Sequence, residues 1–452
     1  MGLGEVLQKF VKSRPLAVMT RVILDEVISS DLDQVFHDNR KQGYEQELLY
    51  SQLASAISQV VLGLCASPNQ AYQQLQDELS VSKTAFYNKL RRVELPVIEA
   101  SVRHSYSRCQ DMLRKLGTRP WEIVPGYRCK IIDGNHLQAC ENRLTELRTT
   151  WAHALPGTAV VVVDAQLMLV QDVFLIPDGH AAERSVAADI LETVESNDLW
   201  IGDRHYCTVA IMTGIAQRDA FFAIRQHGVL KGELLGKRKY LGRSGTGKIY
   251  EQSLTIGGPS GMIVRRITVE LDAPTEDGDT EVHVLSNLPG DVSAAEIANV
   301  YLIRREIEQL FYLITTTLTC EIKSLNYPQA ALLVFCMALM AMNCRQVLME
   351  CLVAVHGDDA VEKVSHYSVA FEISSAIDGL MIAIDQDEWR QLLPKTLRGR
   401  VSFLKSSAAN INFTRHAKSK RGPKRAPPKK SRYKNGSHLS AQKILELRKN
   451  TC

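Results

Sequence analysis

A mixed α/β chain, with helices ahead of and behind a central sheet, is predicted by three observations. Up to about Gly117 apolar residues recur at helical spacing with no strand signal; from Tyr127 to Arg225 short β-branched runs alternate with helical ones; from Ser293 helical spacing returns. The chain has 452 residues, room for about three domains at roughly 150 residues each. Apolar residues make up 45% of it, enough for a large core.

Residues 1–120 read as a helical region. Within 45–64 the apolar residues Leu48, Leu49, Leu53, Ile57, Val60, Val61 and Leu64 line one helix face. Leu75, Leu79, Val81, Phe86 and Leu90, around Ser80-Val81-Ser82, resemble a helix-turn-helix. Its second helix, from Lys83 to Arg92, would enter a major groove, with Lys83, Thr84, Tyr87, Asn88 and Arg91 facing DNA. Gln76 stands where the motif usually has a small residue and Ser80 where it has glycine, so a plain helical bundle fits these residues as well.

From Tyr127 the texture changes. Residues 129–133, 158–164 and 167–176 read as three successive strands, 181–196 as a helix, 199–203 as a strand, 208–218 as a helix and 221–225 as a fifth strand. That element order is the order of a ribonuclease-H-like fold, and periodicity alone would allow other α/β folds. Residues 228–290 are rich in Gly, Thr and Val and read as a β-rich insertion within a domain spanning 121–345. Asp164, between two strands, reads as a turn residue. His136 falls on the strand face opposite Asp133, where structural packing is the simpler role. Gly245-Thr246-Gly247-Lys248 lacks the spacing of a phosphate-binding loop and reads as a β-turn.

Helices fill 346–414. The longest apolar run, 330–342, ends at Asn343 and Arg345, short of the roughly 18 residues of a membrane span, and reads as a buried helix. Residues 415–452 read as a basic, flexible tail with too few apolar residues to fold alone.

The charge is local. Ten Lys or Arg and no Asp or Glu lie between positions 415 and 434, among them Lys420, Arg421, Lys424 and Arg425, and the net +4 of the whole becomes −6 without them. Such a segment suits phosphate contact and supplies affinity without sequence choice. The ten cysteines include no CxxC pair, which argues against a zinc ribbon or disulfide framework and for a reduced cytosol. Glu5, Lys9 and Lys12 stand where a secretory signal would be apolar.

The strongest local pattern follows the capping sequence Ser293-Ala294-Ala295-Glu296. At about 100° per residue, Tyr301, Arg304 and Glu308 share one helix face. Taken alone, that face also fits a solvated surface with an internal Arg304–Glu308 pair. Tyr, two residues, Arg, three residues, Glu resembles the signature of the DDE transposases of the insertion-sequence-four family. That family sets its first Asp in a strand as Ile-Asp-Gly and its second at a strand end as Asp-Arg-x-aromatic. Here Ile132-Asp133-Gly134 and Asp203-Arg204-His205-Tyr206 resemble those motifs, and the resemblance covers roughly 127–343.

The resemblance implies a DNA transposase acting as nuclease and strand transferase, cytoplasmic and nucleoid-associated in a bacterium, with transposon-end and target duplexes as partners and a homodimeric synaptic complex. It implies a sheet order 3-2-1-4-5, with Asp133 and Asp203 on neighbouring strands. It also implies that Asp133, Asp203 and Glu308 hold two Mg²⁺ ions, for which Mn²⁺ can substitute. The chemistry agrees. Phosphodiester cleavage needs an activated water and a stabilised leaving oxygen, which two such ions supply, and hard cations prefer oxygen ligands. Tyr301, Arg304 and Arg204 would meet DNA phosphate. The Lys usually found seven residues after the Glu is Thr315 here, with Lys323 as a substitute. Hairpin-forming relatives stack a flipped base on an aromatic of the insertion, often Trp; no Trp lies between Trp200 and Trp389, so Phe222, Tyr240 or Tyr250 would have to serve. Thr315 also leaves room for a second reading, a catalytically decayed DNA-binding regulator.

Overall fold

The computed structural model describes residues 2–42, 47–141, 143–149, 153–258, 260–275, 278–418 and 439–451. Lys420, Arg421, Lys424 and Arg425 lie outside the described residues.

Eleven strands are present among the described residues: β1 (Arg128–His136), β2 (Ala154–Leu155), β3 (Thr158–Asp164), β4 (Leu169–Ile176), β5 (Asp198–Gly202), β6 (Phe221–Arg225), β7 (Gly232–Ser244), β8 (Gly247–Ile256), β9 (Met262–Leu271), β10 (Glu281–Ser286) and β11 (Leu439–Ser440). Nine of them form one mixed sheet in the order β4-β3-β1-β5-β6-β10-β9-β8-β7. Strands β1, β5 and β6 run parallel, and the other neighbours in this sheet are antiparallel. The five strands expected between 129 and 225 therefore take the order 3-2-1-4-5. The β-rich insertion continues the same sheet, because β10 pairs with β6 and carries β9, β8 and β7 beyond it.

Burial on both faces explains why these strands read as unbroken apolar runs. Val160, Val161, Val162 and Val163 are all buried. Ile131, Val161 and Ile201 face the larger core, while Ile132, Val160, Trp200 and Phe222 face a smaller one. The helix expected over 181–196 is shorter: a 3-10 turn, Glu183–Val186, leads into Ala187–Glu192, and Asn197 at φ 65° turns the chain into β5. Next to that turn Lys130 and Asp198 form an almost fully buried ion pair at 2.7 Å.

The larger core runs from Leu7 to Ile411, so the N-terminal helices and those after 345 share it with the sheet. Its axis is Pro328–His356, a helix of 29 residues that extends the apolar run at both ends. It is long and apolar enough to cross a membrane, and 89% of its most apolar window is buried inside the protein. Asn343, where the apolar run stops, is satisfied: its side chain bonds the main chain of Val170 at 2.7 and 2.9 Å and donates to Ser105 at 3.0 Å.

The end of the basic tail is not a free segment. Strand β11 pairs in parallel with β2, and the helix Ala441–Thr451 follows it. Ala441 and Ile444 close a small separate core with Cys140, Leu144, Leu147 and Ala154. Two apolar residues at helical spacing suffice because the body of the protein supplies the rest of the buried surface.

Candidate active site

Asp133 and Asp203 stand side by side in sequence register where the parallel pairing of β1 with β5 stops. β1 and β5 are paired as far as Ile132 opposite Gly202; Asp133 is the next residue of β1, and Asp203 is the first residue after β5. Asp203 then heads the 3-10 turn Arg204–Tyr206 in extended conformation. Carboxylates at the carboxyl ends of neighbouring parallel strands occupy the crevice where open α/β sheets place ligands.

The third acid arrives from a helix across the larger core. Ser293 begins it with a capping box, its hydroxyl accepting the Glu296 N–H at 3.2 Å while its own N–H donates to the Glu296 carboxylate at 2.7 Å. The face expected to be continuous is bent. Ala294–Leu302 ends, the N–H groups of Ile303, Arg304, Glu306 and Ile307 bond three residues back, and Arg305–Thr317 follows. Three-residue bonding tightens the turn. Ile307, Leu310 and Ile314 seat the second helix in the core.

At this bend Arg304 joins the strand to the helix. Its Nη1 donates to Asp133 Oδ2 at 2.9 Å and its Nη2 to Glu308 Oε1 at 2.5 Å. The intrahelical Arg304–Glu308 pair therefore exists, together with a second bond to Asp133. Asp133 and Arg304 are largely enclosed, at 17% and 16% side-chain exposure, whereas Glu308 is half open at 53%.

Burial pushes the Asp133 carboxyl up to about 6, although Arg304 and the Gly134 N–H pull it down; the charges of Glu183 and Asp203 add to the rise. Burial likewise raises the Tyr301 phenol. Asp203 Oδ1 is buried and has no hydrogen-bond partner. An orphaned carboxylate oxygen next to a desolvated carboxyl is an environment that a hard cation would relieve. In the conformation described, no group of three or more His, Cys, Asp or Glu among the described residues is close enough to hold a metal ion. Asp133 and Asp203 are thus brought to one place, while Glu308 reaches it only through Arg304.

A cleft of about 500 Å³ opens beside the helix, between it and the insertion, lined by Arg225, Thr246, Tyr301, Arg304, Arg305 and Glu308. Arg204 is exposed on its turn. Lys323 is exposed in the segment after Arg305–Thr317, where its carbonyl accepts the Glu141 N–H at 2.8 Å. Thr315 faces solvent and donates to the Phe311 carbonyl at 3.0 Å. Phe222 is fully buried in the smaller core, which removes it as a stacking platform. Tyr240 is exposed and meets Tyr250 edge-on at 5.5 Å.

The residues that resemble a helix-turn-helix pack against one another. Ser80 adopts φ 50°, the left-handed conformation for which such turns favour glycine. Ser82 caps Lys83–Arg92 by accepting the Ala85 N–H at 3.2 Å, and Tyr72 packs on Phe86 at 5.5 Å. Lys83, Thr84, Asn88 and Arg91 are exposed and Tyr87 is half-buried. Arg91 lies over the Tyr327 ring at 4.6 Å. Asp164 accepts the N–H groups of Gln166 and Leu167 at 2.9 and 3.2 Å, the work of a turn residue.

The sequence reading passed over Glu183. Its carboxylate is buried behind the strand ends and accepts the Tyr206 hydroxyl at 3.0 Å. The available signal was Gly134, a residue without Cβ at the position beside Asp133.

Two neighbouring parallel strands thus lead into carboxylates that are faced by a helix carrying a Tyr, an Arg and a Glu. Residues 125–344, just under half the chain, match the family model of the transposase DDE domain. No curated protein matches the chain. Among solved structures, a piggyBac transposase synaptic complex with hairpin DNA is 11% identical over 88% of this chain and 86% of that one, with a TM-score of 0.40, a likeness too weak to bear on function.

Proposed function

We propose that this chain is a DDE transposase with a ribonuclease-H-like core, of the insertion-sequence-four type, that binds the terminal inverted repeats of its element and catalyses metal-dependent DNA cleavage and strand transfer. The observation that carries the proposal is that Asp133 and Asp203 each follow directly on the last paired residues of β1 and β5, Ile132 and Gly202, inside a segment that matches the transposase DDE domain. In this reading Asp133, Asp203 and Glu308 are the catalytic acids.

The donor set suits Mg²⁺, since it consists of carboxylate oxygens, one of them buried without a partner. Mg²⁺ held there would supply charge to activate a water and to stabilise the leaving 3′-oxygen. The chain's own residues do the remainder. Arg304 balances the charge of Asp133 and Glu308 in the structure, and with Tyr301, Arg204 and Lys323 it would meet a DNA phosphate. The helix Lys83–Arg92 presents Lys83, Thr84, Tyr87, Asn88 and Arg91 to the transposon end, and Lys420, Arg421, Lys424 and Arg425 add affinity that is independent of sequence. The reaction takes place on duplex DNA in the cytoplasm, with two copies of the chain in the synaptic complex.

A catalytically decayed DNA-binding regulator is the second reading, favoured by the Arg304 bridge and by Thr315 in place of a cation. Binding and nicking of end-containing DNA separate the two. The first reading expects both in Mn²⁺; the second expects binding alone.

A further inference from the structure

Glu183 opens the 3-10 turn before Ala187–Glu192, on the sheet face opposite Arg304, and its side chain is 8% exposed. Water would solvate a carboxylate better than this site does, so what the carboxylate touches matters. The Tyr206 hydroxyl donates to its Oε2 at 3.0 Å. His136 Nε2 lies 3.7 Å from Oε1, and His205 Nδ1 lies 3.7 Å from Oε2. His136 is itself bonded to Thr158 Oγ1 at 2.8 Å, which fixes its ring.

The fourth contact explains a glycine. A Cβ on Gly134 would stand 2.2 Å from Glu183 Cδ and 2.3 Å from Oε1, so the carboxylate occupies the space a side chain would need. The Gly134 N–H, in turn, is 3.0 Å from Asp133 Oδ1. One buried carboxylate thus touches the residue that follows Asp133 and two residues of the turn that follows Asp203.

We infer that Glu183 is a positioning residue that ties β1 at Gly134 to the turn after β5 at Tyr206, and so fixes Asp133 relative to Asp203. The inference rests on the reading of Asp133 and Asp203 as the catalytic pair. Glu183 acts through Gly134 and Tyr206 and touches no reacting atom in this role. It also accounts for the glycine of the Ile132-Asp133-Gly134 motif, which serves here to admit the Glu183 carboxylate.

The test compares the full chain with Glu183→Ala, Glu183→Gln, Tyr206→Phe and Gly134→Ala. Amide hydrogen exchange is followed over residues 131–137 and 202–208, alongside thermal unfolding and Mn²⁺ affinity by calorimetry. Glu183→Ala, Tyr206→Phe and Gly134→Ala are expected to speed exchange in both segments about tenfold while distant segments keep their protection. Mn²⁺ affinity should fall roughly 10- to 100-fold, as for lost supports of metal ligands. Glu183→Gln keeps an acceptor for the Tyr206 hydroxyl and should restore most of the protection. Unchanged exchange in both segments for Glu183→Ala and Tyr206→Phe would overturn the inference. Should Glu183→Ala not fold, Tyr206→Phe decides, since it removes only a hydroxyl. Faster exchange in the variants of a protein whose wild type takes up no Mn²⁺ would uphold the tie between the strands and remove the metal reading instead.

Discussion

Arg304 bonds Asp133 across the strand–helix gap at 2.9 Å, and with its other terminal nitrogen it holds Glu308 on its own helix. One guanidinium therefore balances two of the three acids proposed to bind metal. Glu308, the most exposed of the three residues in the bridge, is the one with room to move.

Removing that guanidinium leaves Asp133 desolvated and without a counter-charge. Arg304→Ala is expected to lower metal-free stability by about 1–3 kcal/mol, the cost of leaving a buried charged acceptor unsatisfied. Millimolar Mg²⁺ or Mn²⁺ should recover part of the loss by linkage, since ligand that binds only the folded form stabilises it. Thermal melts with and without metal check this. A melting point indifferent to metal in both proteins would mean that no cation replaces the Arg304 charge.

Beneath the site, Lys130 and Asp198 join β1 to β5 at 2.7 Å with almost no solvent contact. Breaking such a pair from one side costs about 3–5 kcal/mol because a buried charge is stranded, whereas replacing both partners with apolar residues is close to neutral. Urea unfolding should accordingly show Asp198→Ala strongly destabilised and Lys130→Met/Asp198→Leu recovering part of that loss, the rest lying in the Arg128 bridge at 3.0 Å and the Glu195 N–H at 2.8 Å that Asp198 also holds. An equal loss in the single and double variants would show that packing, not charge, governs this position.

Glu99 provides a pH dependence away from the metal site. Burial raises its carboxyl to about 7, although it accepts the Leu175 N–H at 2.9 Å and lies near Arg103. In the unfolded chain this group ionises near its ordinary value of 4.5. Below that value both states are protonated and Glu99 contributes nothing. Stability falls as pH rises from about 4.5 to about 7, and the full penalty applies above. Glu99→Gln keeps the acceptor and removes the penalty, so its melting point should exceed wild type at pH 8 and match it at pH 4. A constant difference across that range would contradict the assignment.

Much of the sheet was legible because its strands are buried on both faces and bounded by polar turns, as with Val160 to Val163 before Asp164. Motif spacing set Asp133, Asp203 and Glu308 apart from the other carboxylates, and the structure brings the first two to adjoining strands. Three features were not legible. The bend at Ile303 and Arg304 depends on three-residue hydrogen bonds that periodicity does not register. Docking of Ala441–Thr451 depends on a surface formed by Cys140, Leu144 and Ala154, distant in sequence. Glu183 acquires its neighbours only when β1, β5 and its own turn converge. Phe222 was misjudged because an aromatic next to an insertion gives no sign of which face of β6 it occupies.

For the helix Lys83–Arg92 the exposed cations give a quantitative expectation. Lys83→Ala and Arg91→Ala should each weaken binding to end-containing duplex and lower the salt slope by about 1 if they meet phosphate. Fluorescence anisotropy over a range of KCl reads this directly. Unaltered affinity and slope in both variants would favour a plain helical bundle.

The most direct measurement is cleavage of duplex DNA carrying the element's ends by wild type, Asp133→Ala, Asp203→Ala and Glu308→Ala, in Mn²⁺ and in EDTA. The expected result is nicking by wild type in Mn²⁺ alone, with each variant still binding the DNA and cutting it at least about a hundredfold more slowly, a loss of roughly 2.7 kcal/mol in transition-state stabilisation. Equal nicking by wild type and Asp133→Ala, or nicking that persists in EDTA, would contradict the proposal that these three carboxylates form a metal-dependent active site.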